Sequence, residues 1–164
     1  MIFVTVGTHE QQFNRLTEKI DEIAQKMPDE KIIVQYGYST YIPKNCISKK
    51  MMDYDEMEKN YENADIVITH GGPASFIKAL QYGKVPIVVP RTKEFSEHVN
   101  NHQLEFVKQI EEKEKNIIPI YDINDLEKVI KEYRKISGKI LKNYKSNTKN
   151  FVENLVKYME KMYE

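Results

Sequence analysis

Short apolar runs at residues 2–6, 32–36, 66–69, 86–89 and 117–120 alternate with longer stretches that carry a helical pattern. The first run is followed by Phe13, Leu16, Ile20, Ile23, Ala24 and Met27, a spacing of three and four that places one apolar stripe on a helix. Further helices are expected at 54–63, 74–82 and 97–111. Strands alternating with helices restrict the chain to an α/β fold: a Rossmann-like, mainly parallel sheet with helices on both faces. Ligands of such sheets bind beyond the carboxyl ends of the strands, so chemistry is expected in the loops after Val6, Tyr36, Thr69 and Val89.

The 164 residues suit one domain with one core. Twenty-five basic residues balance 25 acidic ones, which gives no reason to expect nucleic acid. Cys46 is the only cysteine; this excludes an internal disulfide framework and a multi-cysteine metal site and suits a reducing compartment. The opening apolar run is too short for a signal peptide or a membrane span, so a soluble chain is expected. Beyond Gly138, Leu141, Tyr144, Thr148, Phe151, Leu155, Met159 and Met162 recur three and four apart among lysines. That spacing predicts a long C-terminal amphipathic helix over 138–164 after a Rossmann-like domain over 1–137. Its stripe packs on the domain itself or on a partner or membrane surface.

The most informative segment runs from the strand ending at Thr69 through His70, Gly71, Gly72 and Pro73 into a helix. Proline suits a first helical turn, where its missing N–H has no helical partner to lose. Two glycines allow close approach to backbone, and the positive end of the following helix favours an anion, for which a phosphate is the natural occupant. His70 and Ser75 each add a donor. A strand, two glycines and a helix also make a plain tight connection.

A second polar cluster follows the strand at 86–89, in Arg91-Thr-Lys-Glu-Phe-Ser-Glu-His-Val-Asn-Asn-His-Gln103. Glu97, His98, Asn101 and Gln103 supply the directional donors and acceptors that hexose hydroxyls require. Glu97 and His98 equally suit an exposed helix start, with Ser96 as cap and half of a capping box.

Thr69-His-Gly-Gly-Pro-Ala-Ser75, Gly83-Lys-Val-Pro-Ile-Val-Val-Pro90 and Glu97-His-Val-Asn-Asn101 together resemble the donor-binding half of GT-B glycosyltransferases. The pattern is similar to the C-terminal domain of glycosyltransferase family 28, and most of all to the soluble catalytic subunits of bacterial two-component capsule and exopolysaccharide transferases. Val4-Thr-Val-Gly-Thr-His-Glu-Gln-Gln-Phe13 matches the first strand and loop of those subunits, and the resemblance covers residues 1 to 107. It implies a UDP-sugar-binding domain over 1–137. It places the donor diphosphate on Gly7, Thr8, Gly71, Gly72 and Ser75 with His70, the sugar on Glu97, His98, Asn101 and Gln103, and the uridine near Asp53 and Tyr54. Relatives carry a ribose-binding glutamate where this chain has Lys78; a lysine cannot accept those hydrogen bonds, so ribose recognition passes elsewhere or Lys78 meets a donor carboxylate or phosphate.

The expected reaction is metal-independent hexosyl transfer, with no metal or other cofactor, in which a helix N-terminus, Ser75 and His70 stabilise the leaving diphosphate. His9 is the one candidate base in the chain. The resemblance implies a membrane-anchored acceptor-binding subunit, a polyprenyl-diphosphate-linked saccharide acceptor, and a cytoplasmic location at the inner face of the membrane through that partner. A non-catalytic nucleotide-sugar-binding subunit and an epimerase of related fold are the alternatives. The sequence does not identify the sugar.

Overall fold

The computed structural model describes residues 1–143 and 148–163. Strands β1 (Ile2–Thr5), β2 (Ile32–Gln35), β3 (Ile47–Lys49), β4 (Ile66–His70), β5 (Ile87–Val89) and β6 (Ile118–Pro119) form one sheet in the order β3-β2-β1-β4-β5-β6. Every pairing is parallel, with Val4 opposite Val34 on one side and Ile68 on the other. The chain steps outward from β1 to β3 and then returns to place β4 beside β1. Connections leaving β1 and β4 therefore diverge, which opens a crevice at the carboxyl ends of these two strands.

Alternation along the buried strands sends successive side chains to opposite faces. Ile2, Val4 and Val6 meet Leu16, Ile20 and Ile23 of α1 (Asn14–Lys26) and Leu126, Ile130 and Tyr133 of α5 (Leu126–Asn143). Phe3 and Val67 face the other way, against Tyr61 of α2 (Tyr54–Asn63) and Ala79 of α3 (Pro73–Gln81). Val88 joins Phe76 of α3 and Phe106, Val107 and Ile110 of α4 (His102–Lys113) on that same second face. Both faces are covered, which is why the strands read as nearly unbroken apolar runs.

Three features depart from the sequence expectation. β3 is an edge strand whose Ile47 is 58% exposed; with no buried stripe, it left no pattern to read. The C-terminal pattern is two helices, α5 and α6 (Thr148–Tyr163), and Gly138 lies inside α5, so residue 138 is not a break. Leu155 of α6 is buried among Phe76, Val88 and Phe106, whereas Leu141 is half exposed; Tyr144 lies outside the described residues, as do the side chains of Thr148, Phe151 and Met162. Finally, α4 begins at His102 rather than at 97. Residues 92–101 are held in turns, with Ser96 at φ 56°, so Ser96 caps nothing and Asn101 takes the capping position. Among the described residues no helix is long and apolar enough to cross a membrane.

Candidate functional site

A cleft of about 450 Å³ occupies the crevice between β1 and β4. Gly7, Thr8 and His9 form one rim, and Gly72, Ala74 and Ser75 at the start of α3 form the other. Gln35 closes the base, where its amide donates to Gly7 O at 3.0 Å and its carbonyl accepts from the Thr5 hydroxyl at 2.6 Å. The remaining wall is apolar and built from Met51, Met52 and Met57, with Met159 reaching over from α6. Unbranched thioethers make a wall that adapts to a flat or irregular group.

His70 is the centre of the glycine loop. Its Nδ1 accepts from Gly72 N–H at 3.0 Å, and its Nε2 lies 3.0 Å from Ser75 Oγ. A Cβ on Gly72 would stand 2.1 Å from the ring, and one on Gly7, where φ is +79°, 2.4 Å from Nε2. Gly7 and Gly72 thus make room for an imidazole packed between two backbone segments. Burial, with help from the Arg91 charge and from His9 and His98, pushes the His70 pKa down to about 3. His70 is neutral at pH 7, and both its nitrogens are engaged within the protein, so the ring offers no free donor of its own.

The two loop glycines also differ from expectation in what their N–H groups meet. Gly71 N–H donates to Gln103 Oε1 at 3.1 Å and Gly72 N–H to His70. The groups left for an anion are the Ala74 N–H, which has no partner among the described residues, and the Ser75 hydroxyl. Both stand at the first turn of α3, where the helix dipole is positive.

The second polar loop faces inward. Arg91 is fully buried and its guanidinium donates to Val6 O (2.8 Å), Gln11 O (2.9 Å), Gln12 O (3.1 Å) and Glu97 O (3.1 Å), while lying 4.7 Å from the Phe13 ring centre. One side chain therefore ties the loop after β1 to the loop after β5. Burial lowers its pKa to about 10, opposed by Glu97, so it stays charged. Glu97 is also fully buried and receives Nε and Nη2 of Arg15 at 2.9 Å each, plus Thr92 N–H at 3.1 Å. Asn101 Oδ1 accepts from Lys93 N–H, and Gln103 Oε1 accepts from Arg91 N–H. Of the four residues expected to meet a sugar, none lines the cleft directly: His98 stacks on the rim residue His9 with ring centres 4.6 Å apart, and Gln103 lies behind His70. His9 Nε2 lies 2.9 Å from Gln11 Oε1, an acceptor, which leaves Nδ1 as the lone-pair nitrogen of a neutral ring.

The residues expected to meet uridine do not line the cleft. Asp53 caps α2 in a complete capping box with Glu56, and Tyr54 is 73% exposed. Lys78 pairs with Glu58 at 2.6 Å, and that carboxylate also accepts from Tyr82 at 2.6 Å. A larger open groove of about 830 Å³ runs beside α1 and the loops near 95 and 122, but its mixture of Arg15 and Lys19 with Glu18, Glu22 and Glu94 gives no bias toward an anion. Gln35, Met51, Met52, Arg15 and Arg91 were not anticipated as site-builders. A glutamine ending the run Ile32-Ile-Val-Gln35 and an arginine two residues after β5 were the available signals.

A parallel sheet whose strand order reverses at β1/β4, with a glycine loop and a helix N-terminus at that point, is the architecture of one half of a GT-B glycosyltransferase. The structure of the glycotransferase of kitacinnamycin superposes on 94% of this chain and 43% of its own, with a TM-score of 0.57 at 17% identity. The family model of the glycosyltransferase family 28 C-terminal domain matches residues 1–162, and the chain belongs to that family. It is 30% identical over 118 residues to the UDP-N-acetylglucosamine transferase subunit ALG13 of Mus musculus, covering 66% of this chain and 10% of that protein. It is 32% identical over 158 residues to a UDP-N-acetylglucosamine--N-acetylmuramyl-(pentapeptide) pyrophosphoryl-undecaprenol N-acetylglucosamine transferase of Sulfurihydrogenibium sp. (strain YO3AOP1), covering 83% of this chain and 44% of that enzyme. The chain thus spans less than half the length of these relatives.

Proposed function

We propose that this chain is the donor-binding, catalytic subunit of a UDP-sugar-dependent glycosyltransferase that extends a lipid-linked saccharide in capsule or exopolysaccharide synthesis. The observation that carries this reading is the cleft at the β1/β4 reversal, where the unpartnered Ala74 N–H and the Ser75 hydroxyl stand at the positive end of α3. Those groups suit a diphosphate, and they strengthen their hold as negative charge builds on it during departure, without a metal. The methionine wall beside them suits a base. One relative's name specifies a UDP-N-acetylglucosamine transferase subunit and another's a pyrophosphoryl-undecaprenol acceptor, which supports a UDP-sugar donor and a polyprenyl-diphosphate-linked acceptor.

In this reading His9, on the rim, takes the acceptor proton through Nδ1, and His98 stacked on it fixes the ring plane. The acceptor is held by a membrane-anchored partner subunit that recruits the chain to the inner face of the cytoplasmic membrane. Titration calorimetry with UDP and a panel of UDP-sugars, with and without EDTA, tests the donor site: metal-independent UDP binding weakened by Ser75→Ala supports it. Absence of binding both to the chain and to its complex with the partner overturns it. A non-catalytic donor-binding subunit is the second reading, favoured by Lys78, which pairs with Glu58 at the position where the family resemblance implies a ribose-binding glutamate. Turnover with the purified partner separates the two.

A further inference from the structure

The hydrogen bonds around His70 determine more than its position. Gln103 Oε1 is approached by two backbone donors, Gly71 N–H and Arg91 N–H, each at 3.1 Å. That atom is therefore the amide oxygen, and the NH2 end of Gln103 is the group that lies 3.4 Å from His70 Nδ1. Gly72 N–H points at the same Nδ1 from 3.0 Å. Two donors converging on one ring nitrogen require a lone pair there. A neutral imidazole then carries its proton on Nε2, which donates to Ser75 Oγ at 3.0 Å. A hydroxyl oxygen that accepts from the ring turns its own proton elsewhere, and the open side of Ser75 is the cleft.

We propose that Gln103 is a positioning residue: it fixes His70 as the Nε2–H tautomer and so turns the Ser75 hydroxyl proton into the cleft. The first turn of α3 then presents donors only, Ser75 O–H and Ala74 N–H, a surface matched to an ionised phosphate oxygen and mismatched to a hydroxyl that must itself donate. The opposite tautomer would make Ser75 donate to the ring and leave its lone pairs toward the anion. Gln103 is suited to the task because it stands on α4 and its oxygen is held by backbone N–H groups of the loops after β4 and β5, which aims its NH2 end at the ring. The inference rests on the reading of the cleft as a diphosphate site.

The test is nitrogen-15 NMR of the imidazoles in the free, full chain at pH 8, with His70 assigned by its loss in His70→Gln, alongside calorimetry with UDP. In the unsubstituted chain His70 is expected as the neutral Nε2–H form; an Nδ1–H or doubly protonated ring overturns the proposal whatever UDP does. Gln103→Glu replaces the donor by a second acceptor and is expected to move the proton to Nδ1 and weaken UDP binding by about tenfold or more, the value of one hydrogen bond to a charged group. An unchanged tautomer in Gln103→Glu, or a changed tautomer with unchanged UDP affinity, overturns it. Should Gln103→Glu not fold, Gln103→Met keeps the length and removes the donor; mixed tautomers with intermediate affinity are expected, and a pure Nε2–H ring counts against. If the unsubstituted chain shows the Nε2–H ring and binds no UDP with or without its partner, the diphosphate reading fails, and the tautomer in Gln103→Glu still decides what Gln103 does.

Discussion

The loops after β4 and β5 carry similar polar inventories and use them in opposite ways. The first gathers its contacts around one ring, His70, and presents Ala74 and Ser75 to the cleft. The second turns Arg91, Glu97, Asn101 and Gln103 onto protein groups, so that its residues act as the frame of the site. Residue type states what a side chain is able to bond. Whether protein or ligand supplies the partner is decided by the backbone around it. Arg91 illustrates the point: a guanidinium in a loop beside a helix N-terminus suggests an anion contact, yet carbonyls of two loops surround it.

The contrast predicts that substitutions in the two loops separate stability from binding. The largest effect is expected for Arg91→Met, which orphans four carbonyls; urea denaturation should show a loss of roughly 4 kcal/mol, since each buried unpaired group costs about 1–3 kcal/mol. Glu97→Gln breaks a buried ion pair and should cost on the order of 3 kcal/mol. If Glu97→Gln instead left stability unchanged and altered the preferred UDP-sugar, the second loop would be a ligand loop and the contrast would collapse.

Acidification probes the first loop. The unfolded chain protonates His70 near its ordinary value of 6.5 and the folded chain only near 3, so between these values the unfolded state binds more protons and stability falls as pH falls. From pH 7 to pH 5 the loss should be roughly 2 kcal/mol, and His70→Gln should flatten most of that slope. A slope unchanged in His70→Gln would mean that another group carries it; His98, whose pKa burial also lowers, is the next to replace. The smallest effect is expected for Ser75→Ala: UDP affinity falls about tenfold, equivalent to about 1.4 kcal/mol, while stability changes by less than about 1 kcal/mol.

Much of the frame was readable in advance because it follows from periodicity. Residues 2–6, 66–69 and 86–89 are buried on both faces and announce themselves as parallel strands, and Pro73 after two glycines marks the start of α3. β3 was not readable because Ile47, Ser48 and Lys49 lie at the sheet edge with little burial to impose a pattern. The delayed start of α4 was hidden because it depends on Arg91 and Glu97 reaching Gln12 and Arg15, contacts across some 80 residues of sequence. For the site, the position of the glycine loop at the start of α3 was legible, but which of its groups remain free was not. Local sequence shows that Gly71 and Gly72 have N–H groups; it does not show that Gln103 and His70 occupy them. Lys78 read as a gap in ribose recognition, and the structure adds that Glu58 on the neighbouring helix holds it.

Thr5 on the first strand and Met159 on the last helix border the same 450 Å³ of space. Synthesis delivers these two residues in a fixed order, with almost the whole chain between them. A nascent chain that has reached α5 contains every residue of the sheet, His70 and the start of α3, yet still lacks Met159 at the border of the cleft. A cleft bordered by residues 5 and 159 is thus complete only once residue 159 has been made and α6 has docked.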